Sequence, residues 1–393
     1  MKDIAVDAVG GNAVLTAPVY REGSDRPSLR LEFTFHDLPP DAISDRGDPF
    51  VPALLALAMT MREDLTIEAP VSPKLVANLD QIERLHLEWW TKLRPVKVLA
   101  PQVPADHRAA DVGMFFSGGV DSFYTLLRNM QGRSVPDDPI THLVFVAGFE
   151  VDSPSAEYVA AAGGRVRDVA EATGTQAIIV TTNLRTELRL WWMRMQGASL
   201  ATVGHALSPM LGTCFIAGSY MYKNLTPWGT HPVLDPLWSS ESMRIHHEGW
   251  DADRSEKIRY EIARSDLALS TLRVCPKPEQ QPMNCGRCAK CIRTMVCLYT
   301  EGVLDRCDTF VASLDPRTVH KMDAGGMNLL APSILAGLGD SKLDHSIARA
   351  VRRRAFKEEV LFVRRALFPT YTRRGRWLRG LRARFRSDKS RAR

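Results

Sequence analysis

No apolar run in the chain approaches the ~18 residues of a membrane span, and its first residues, Met1-Lys2-Asp3-Ile4, lack the continuous apolar stretch of a signal peptide. A cytoplasmic protein without a transmembrane segment is therefore expected. Repeats of fixed period are absent, which argues against a solenoid or propeller. Cysteine is scarce and odd in number, seven in 393 residues, which argues against a disulfide framework and for a reducing compartment. No Gly-Lys-Ser/Thr follows the one glycine-rich turn of interest, so a Walker-type phosphate loop is excluded. Uniform positive charge is lacking as well. Residues 349–393 hold 17 Lys or Arg against 3 Asp or Glu, leaving the other 348 residues at −8 within an overall +6. On this split, contact with RNA, an acidic protein or an anionic membrane is expected mainly from the basic C-terminal segment.

The 45% hydrophobic content supports a sizeable core, and the length suits about two domains at ~150 residues each. Residues 1–104 read as an accessory α/β segment. In it Leu29, Leu31, Phe33 and Phe35 alternate with polar residues at strand period, and Ser72-Pro73 opens a helix carrying Leu75, Leu79, Ile82 and Trp89. Pro101 to Ala110 reads as a linker, and from Val112 the pattern changes. Short apolar runs at Val112 to Phe116, Leu143 to Ala147, Ala177 to Val180 and Thr213 to Ala217 alternate with helical stretches at Ser122 to Met130, Ala156 to Thr173 and Ala198 to Met210. This predicts an α/β fold with a parallel sheet and ligands at the strands' C-terminal ends. A domain over 105–305, a helical extension over 306–348 and the basic segment over 349–393 complete the division.

The first core strand runs into Phe115-Phe116-Ser117-Gly118-Gly119-Val120-Asp121-Ser122. Two glycines bring backbone N–H groups close to a bound anion, Ser117 and Ser122 add hydroxyls, and the helix that follows adds its N-terminal partial charge. Asp121 beside phosphates predicts a bridging Mg²⁺. A plain tight turn with a helix cap is the competing use of the same residues. Further on, Cys275, Cys285, Cys288 and Cys291 form C-x9-C-x2-C-x2-C, a set that suits tetrahedral, structural Zn²⁺ and leaves no place for a reactive water. Cys214, Cys297 and Cys307 read as core residues.

The loop resembles the Ser-Gly-Gly-X-Asp-Ser motif of the PP-loop ATP pyrophosphatase superfamily. Together with the cysteine run some 150 residues later, it resembles the 7-cyano-7-deazaguanine synthase family of queuosine biosynthesis over about residues 112 to 300. The resemblance implies a HUP-type, adenine nucleotide alpha hydrolase-like domain. It also implies ATP, Mg²⁺ and Zn²⁺ as cofactors, and a carbon–nitrogen ligase that adenylates a deazaguanine-type or related carboxylate and joins it to ammonia or an amine as an amide or nitrile. On that reading Ser117, Gly118, Gly119, Val120, Asp121 and Ser122 hold the nucleotide, and Thr181 lines the adenine pocket. Arg254-Ser255-Glu256-Lys257-Ile258 is similar to the family's lysine-containing helix start, which makes Arg254 and Lys257 candidates for stabilising departing pyrophosphate.

The proline-rich segment from Lys223 to Ser240 is expected to overhang the strand ends, with Trp228 stacking on a planar base and Lys223, His231 or Asp235 orienting the substrate. Ordered surface packing is its structural alternative. The rival functions are a PP-loop tRNA sulfur transferase and a nucleotide-binding regulatory module without turnover. Homo-oligomerisation is left open by the sequence.

Overall fold

The computed structural model describes residues 1–136, 138–190, 192–277, 284–321 and 326–367. The basic stretch from Arg373 to Arg386 lies outside them. Three strands open the chain, β1 (Ala5–Val9), β2 (Asn12–Val19) and β3 (Leu29–Phe35), followed by α1 (Phe50–Met61), β4 (Leu65–Thr66), α2 (Pro73–Trp89) and β5 (Val98–Leu99). Strand and helix then alternate through β6 (Asp111–Phe115), α3 (Val120–Met130), β7 (His142–Ala147), α4 (Ala156–Thr173), β8 (Gln176–Thr182), α5 (Leu184–Leu188), α6 (Gln196–Ala206), β9 (Leu211–Ala217) and β10 (Arg244–Glu248). The remainder is helical: α7 (Arg254–Tyr260), α8 (Asp266–Thr271), α9 (Ala289–Thr300), α10 (Pro316–Lys321), α11 (Met327–Ala336) and α12 (Lys342–Leu367).

Local chemistry accounts for many of these boundaries. The Ser72 hydroxyl accepts from the Leu75 N–H and Pro73 occupies the first helical position, so α2 starts where the sequence predicts. Gly174, left-handed at φ +67°, ends α4. Asp253 and Glu256 form a reciprocal capping box at the start of α7.

Eight strands form one mostly parallel sheet in the order β1-β2-β3-β8-β7-β6-β9-β10. Strands β8, β7, β6, β9 and β10 run parallel, and β3 joins antiparallel to β8 through Phe33–Thr182, Thr34–Thr181 and Phe35–Val180. The accessory strands thus extend the same sheet. Their inward residues Leu31, Phe33 and Phe35 are fully buried, each worth about 1.5–3 kcal/mol of apolar burial.

Alternate side chains of the parallel strands feed two cores. Phe115, Val144, Val180 and Ile216 pack with α1, α2 and α6, while Met114, Phe145, Ile179 and Phe215 pack with α3, α4 and α9. With both faces covered, the sheet is doubly wound. From β6 the chain winds outward through β7 to β8, then returns to the other side of β6 to lay down β9 and β10. That reversal leaves a crevice at the C-terminal ends of β6 and β9, where such sheets place ligands. Among the described residues no helix is long and apolar enough to cross a membrane.

Candidate functional site

The Ser-Gly-Gly turn sits at this reversal. Gly118 has φ +74°, a conformation costly for a side-chain-bearing residue, and a Cβ there would lie 3.3 Å from the Arg273 Cβ. Gly119 is the N-cap of α3, so the turn delivers the helix's first N–H groups, which lack intrahelical partners, to the strand end. The Ser122 hydroxyl turns inward instead, donating to the Gly119 carbonyl at 3.0 Å, and the residue is buried. Ser122 thus braces the turn, whereas Ser117 remains partly exposed.

Asp121 lies in the first turn of α3 and faces two cations. Lys257 Nζ is 2.9 Å from Oδ1, Arg254 Nη2 is 3.1 Å from Oδ2, and Ser219 Oγ donates to Oδ2 at 3.3 Å. Burial alone would push this carboxyl up, but Lys257 and then Arg254 outweigh it and hold it at about 2. Lys257 is fully buried and also donates to the Gly218 carbonyl at the end of β9. A cation at a helix N-terminus opposes the macrodipole, and Arg254 occupies the first position of α7, whereas Lys257 falls in its last turn. A local rule is broken here to bring charge to the crevice. Where a magnesium ligand was expected, both Asp121 oxygens are occupied by cations, so this carboxylate does not offer a donor set suited to Mg²⁺.

Arg273, which belongs to no motif, secures the turn from the other side. Its N–H donates to the Gly118 carbonyl at 2.7 Å and its guanidinium to the Ser117 carbonyl at 3.1 Å. The same guanidinium pairs with Glu150, just beyond β7, at 3.0 Å, and Lys290 lies 3.6 Å from that carboxylate. Burial would raise Glu150, but Arg273 and Lys290 pull it below its ordinary value.

Arg273 is two residues from Cys275, and the four cysteines do gather. The Sγ atoms of Cys275, Cys285, Cys288 and Cys291 all lie within 4.8 Å of one another. Separations of 4.0 Å (Cys275–Cys288), 3.9 Å (Cys285–Cys291) and 3.4 Å (Cys288–Cys291) bracket the ~3.8 Å edge of a tetrahedron with Zn–S bonds of ~2.3 Å. Thiolate-directed N–H groups are in place, from Arg287 and Cys288 to the Cys285 sulfur and from Cys291 to the Cys288 sulfur. Gly286 at φ +65° closes the knuckle, since a Cβ there would meet the Ala312 carbonyl oxygen at 2.5 Å. The donor set fits zinc. Asn284, also missed in the sequence, accepts from the N–H groups of Val274 and Cys275 and donates to the Leu272 carbonyl, tying the knot to the segment whose Arg273 holds Gly118.

The proposed substrate segment is used differently. Asp235 is fully buried, 2.7 Å from His247 Nδ1, and its Oδ1 has no hydrogen-bond partner. His231 accepts from the Val233 N–H and packs on Trp89 at 4.9 Å, with burial lowering its pKa. Trp228 donates to Gln196 and meets Tyr220 edge-on at 5.4 Å. These three residues pin the segment to α2 and α6. Lys223 stays exposed. Thr181 hydrogen-bonds His36 at 2.7 Å, while Thr182 and Asn183 bind the β3 backbone, so this triplet splices the accessory strands to the sheet. Exposed aromatic surface at the strand ends comes instead from Tyr222 and Trp250, perpendicular at 6.4 Å after β9 and β10.

Cys214 and Cys297 are buried and their thiols are pushed up to about 12 by burial; Cys307 shifts the same way. A cleft of about 1230 Å³ between β2, α1 and β4, lined by Tyr20, Arg21, Leu54 and Glu63, contains none of the strand-end residues. The chain matches no protein-family model, no curated protein and no solved structure.

Proposed function

We propose that this chain is a PP-loop, ATP-dependent enzyme that adenylates a carboxylate and passes the acyl group to ammonia or an amine. One observation carries the reading. A Ser-Gly-Gly turn lies at the strand reversal of a doubly wound sheet, ahead of a helix N-terminus, and two cations from α7 converge beside it.

In this reading Ser117, Gly118, Gly119 and the first N–H groups of α3 hold the phosphates. The substrate carboxylate attacks the α-phosphorus, the bond to the bridging oxygen breaks and pyrophosphate leaves. Amine nitrogen then attacks the acyl carbon, AMP departs and the nitrogen gives up its proton. Nitrile formation would need a second adenylation, on the amide oxygen. Lys257 and Arg254 neutralise charge on departing pyrophosphate, and Asp121 orients them; no step is assigned to magnesium. Tyr222 and Trp250 offer a stacking surface for a planar acceptor. Zinc, held by Cys275, Cys285, Cys288 and Cys291, supplies a closed structural cross-link. Carbon–nitrogen ligation is preferred to sulfur transfer because Cys214, Cys297 and Cys307 are buried thiols held in the protonated form.

The test incubates the zinc-loaded protein with Mg²⁺, α-labelled ATP and 7-carboxy-7-deazaguanine, with and without ammonium, and follows AMP and product mass. Substrate-dependent AMP that falls at least about a hundredfold in Arg254→Gln supports the reading. ATP binding without AMP, across this and other heterocyclic carboxylates, would favour a regulatory module.

A further inference from the structure

The most distinctive surface outside the crevice is on α12. Its inner face packs on α10 and α11 through Ile347, Ala350 and Val351. There Arg354 pairs with the buried Glu358 at 2.7 Å, and the Glu358 Oε2 caps α11 by accepting from the Gly326 and Asn328 N–H groups. The outer face is exposed and carries an apolar stripe. Phe356, Val360 and Val363 fall at i, i+4 and i+7, so they form one stripe, with exposures of 67%, 47% and 52%. Arg349, Arg352, Arg353 and Lys357 are exposed around and N-terminal to that stripe, with Glu359 the acidic neighbour. Beyond the helix, residues 368–393 contain nine Arg and one Lys against one Asp, interleaved with Trp377, Leu378, Leu381 and Phe385.

We infer that the outer face of α12 is a docking surface for an anionic lipid bilayer. An apolar stripe bordered by cations matches a membrane interface, where acyl chains accept the apolar side chains and acidic headgroups the Arg and Lys. RNA would satisfy the charge but leave Phe356, Val360 and Val363 in water. A second copy would bring the same cations against one another. The helix lies along the surface rather than across it, because the opposite face is committed to α10 and α11.

The experiment is co-sedimentation of the full chain with vesicles of phosphatidylcholine alone or with about a third phosphatidylserine, at physiological and raised salt. Binding to the anionic vesicles only, weakened by salt and reduced at least about tenfold in Phe356→Ser/Val360→Ser, is the expected result. Both residues are exposed, so folding is not at stake, and unchanged zinc content and circular dichroism confirm it. Three results overturn the inference: no vesicle binding, vesicle binding indifferent to the double variant, or a double variant that abolishes single-stranded RNA binding or dimerisation while vesicle binding is nil.

Discussion

Two carboxylates, Asp121 half-buried and Asp235 fully buried, sit at opposite sides of β9 and show how different a cation can make the same side chain. Asp121 faces Lys257 and Arg254, which outweigh its burial and hold its pKa at about 2. Asp235 has only imidazoles as basic neighbours, His247 at 2.7 Å and His231 nearby, and an unpartnered second oxygen, and burial pushes its pKa up. The first arrangement fixes charge beside a crevice; the second is a hydrogen-bonded pair behind it. The two regions touch at Gly218, whose carbonyl accepts from Lys257 and whose missing Cβ would fall 2.5 Å from His247 Nε2. Burial of a titratable group is thus no guide to its role. The number of full charges facing it is the better discriminator.

The sharpest test of that contrast is removal of the Asp121 carboxylate. Asp121→Ala leaves Lys257, with no solvent exposure, facing the Gly218 carbonyl and the Tyr124 ring without a counter-charge from Asp121, and should cost about 3–5 kcal/mol by denaturant unfolding. The double variant Asp121→Ala/Lys257→Met should recover much of the loss while leaving ATP binding impaired. A cost below about 1 kcal/mol for the single variant would mean that the cluster is solvated and the comparison empty. Gly197→Ala probes the other side. Its Cβ would lie 2.3 Å from Asp235 Oδ1 and 2.6 Å from the Gly229 carbonyl oxygen, so overpacking should destabilise by about 1–3 kcal/mol. Calorimetric ATP affinity should not change. A lower affinity at equal folded fraction would make the Asp235 region part of the site.

Legibility in the sequence followed the same division. The parallel strands, α2, α4 and the cysteine set could be read because each rests on a local signal: a short apolar run, a cap, or four soft ligands close together. Strand β10 could not, since Arg-Ile-His-His-Glu offers a single aliphatic residue. Arg273, Glu150 and Ser219 were missed because each acts through a partner distant in sequence, as Arg273 does on Ser117, 156 residues away. Trp228, His231 and Asp235 have the chemistry of a binding loop, yet only tertiary packing reveals that α2 and α6 consume it. Thr181 misled for a related reason: its strand end meets the accessory sheet, a junction no periodicity announces.

Acid should separate the two carboxylates with a smaller effect. Asp121's folded pKa lies below its ordinary value of 3.8, so its stabilising contribution is complete above about pH 4 and is lost as pH falls toward 2, a change of about 2 kcal/mol. Asp235 shifts the other way and binds its proton in the folded state without loss of stability. Urea midpoints from pH 5 to pH 2 should therefore fall less steeply in Asp121→Asn than in the parent chain. Parallel curves would remove the assignment of a depressed pKa to Asp121.

The smallest effect is expected at Asp235→Asn. The amide keeps a carbonyl oxygen to accept from His247 Nδ1–H at the position now 2.7 Å away. Its NH2 replaces the orphaned Oδ1, which shares a narrow space with the Gly229 carbonyl oxygen beside Gly197, so a donor enters where two acceptors crowd. A buried acceptor without a partner is a standing cost, and converting it to a donor should leave stability within about 1 kcal/mol of the parent or raise it. Unfolding in urea at neutral pH measures this directly. A loss above about 3 kcal/mol would show that Asp235 is ionised and depends on an imidazolium partner, as Asp121 depends on Lys257 and Arg254. The two carboxylates would then belong to one electrostatic unit spanning β9.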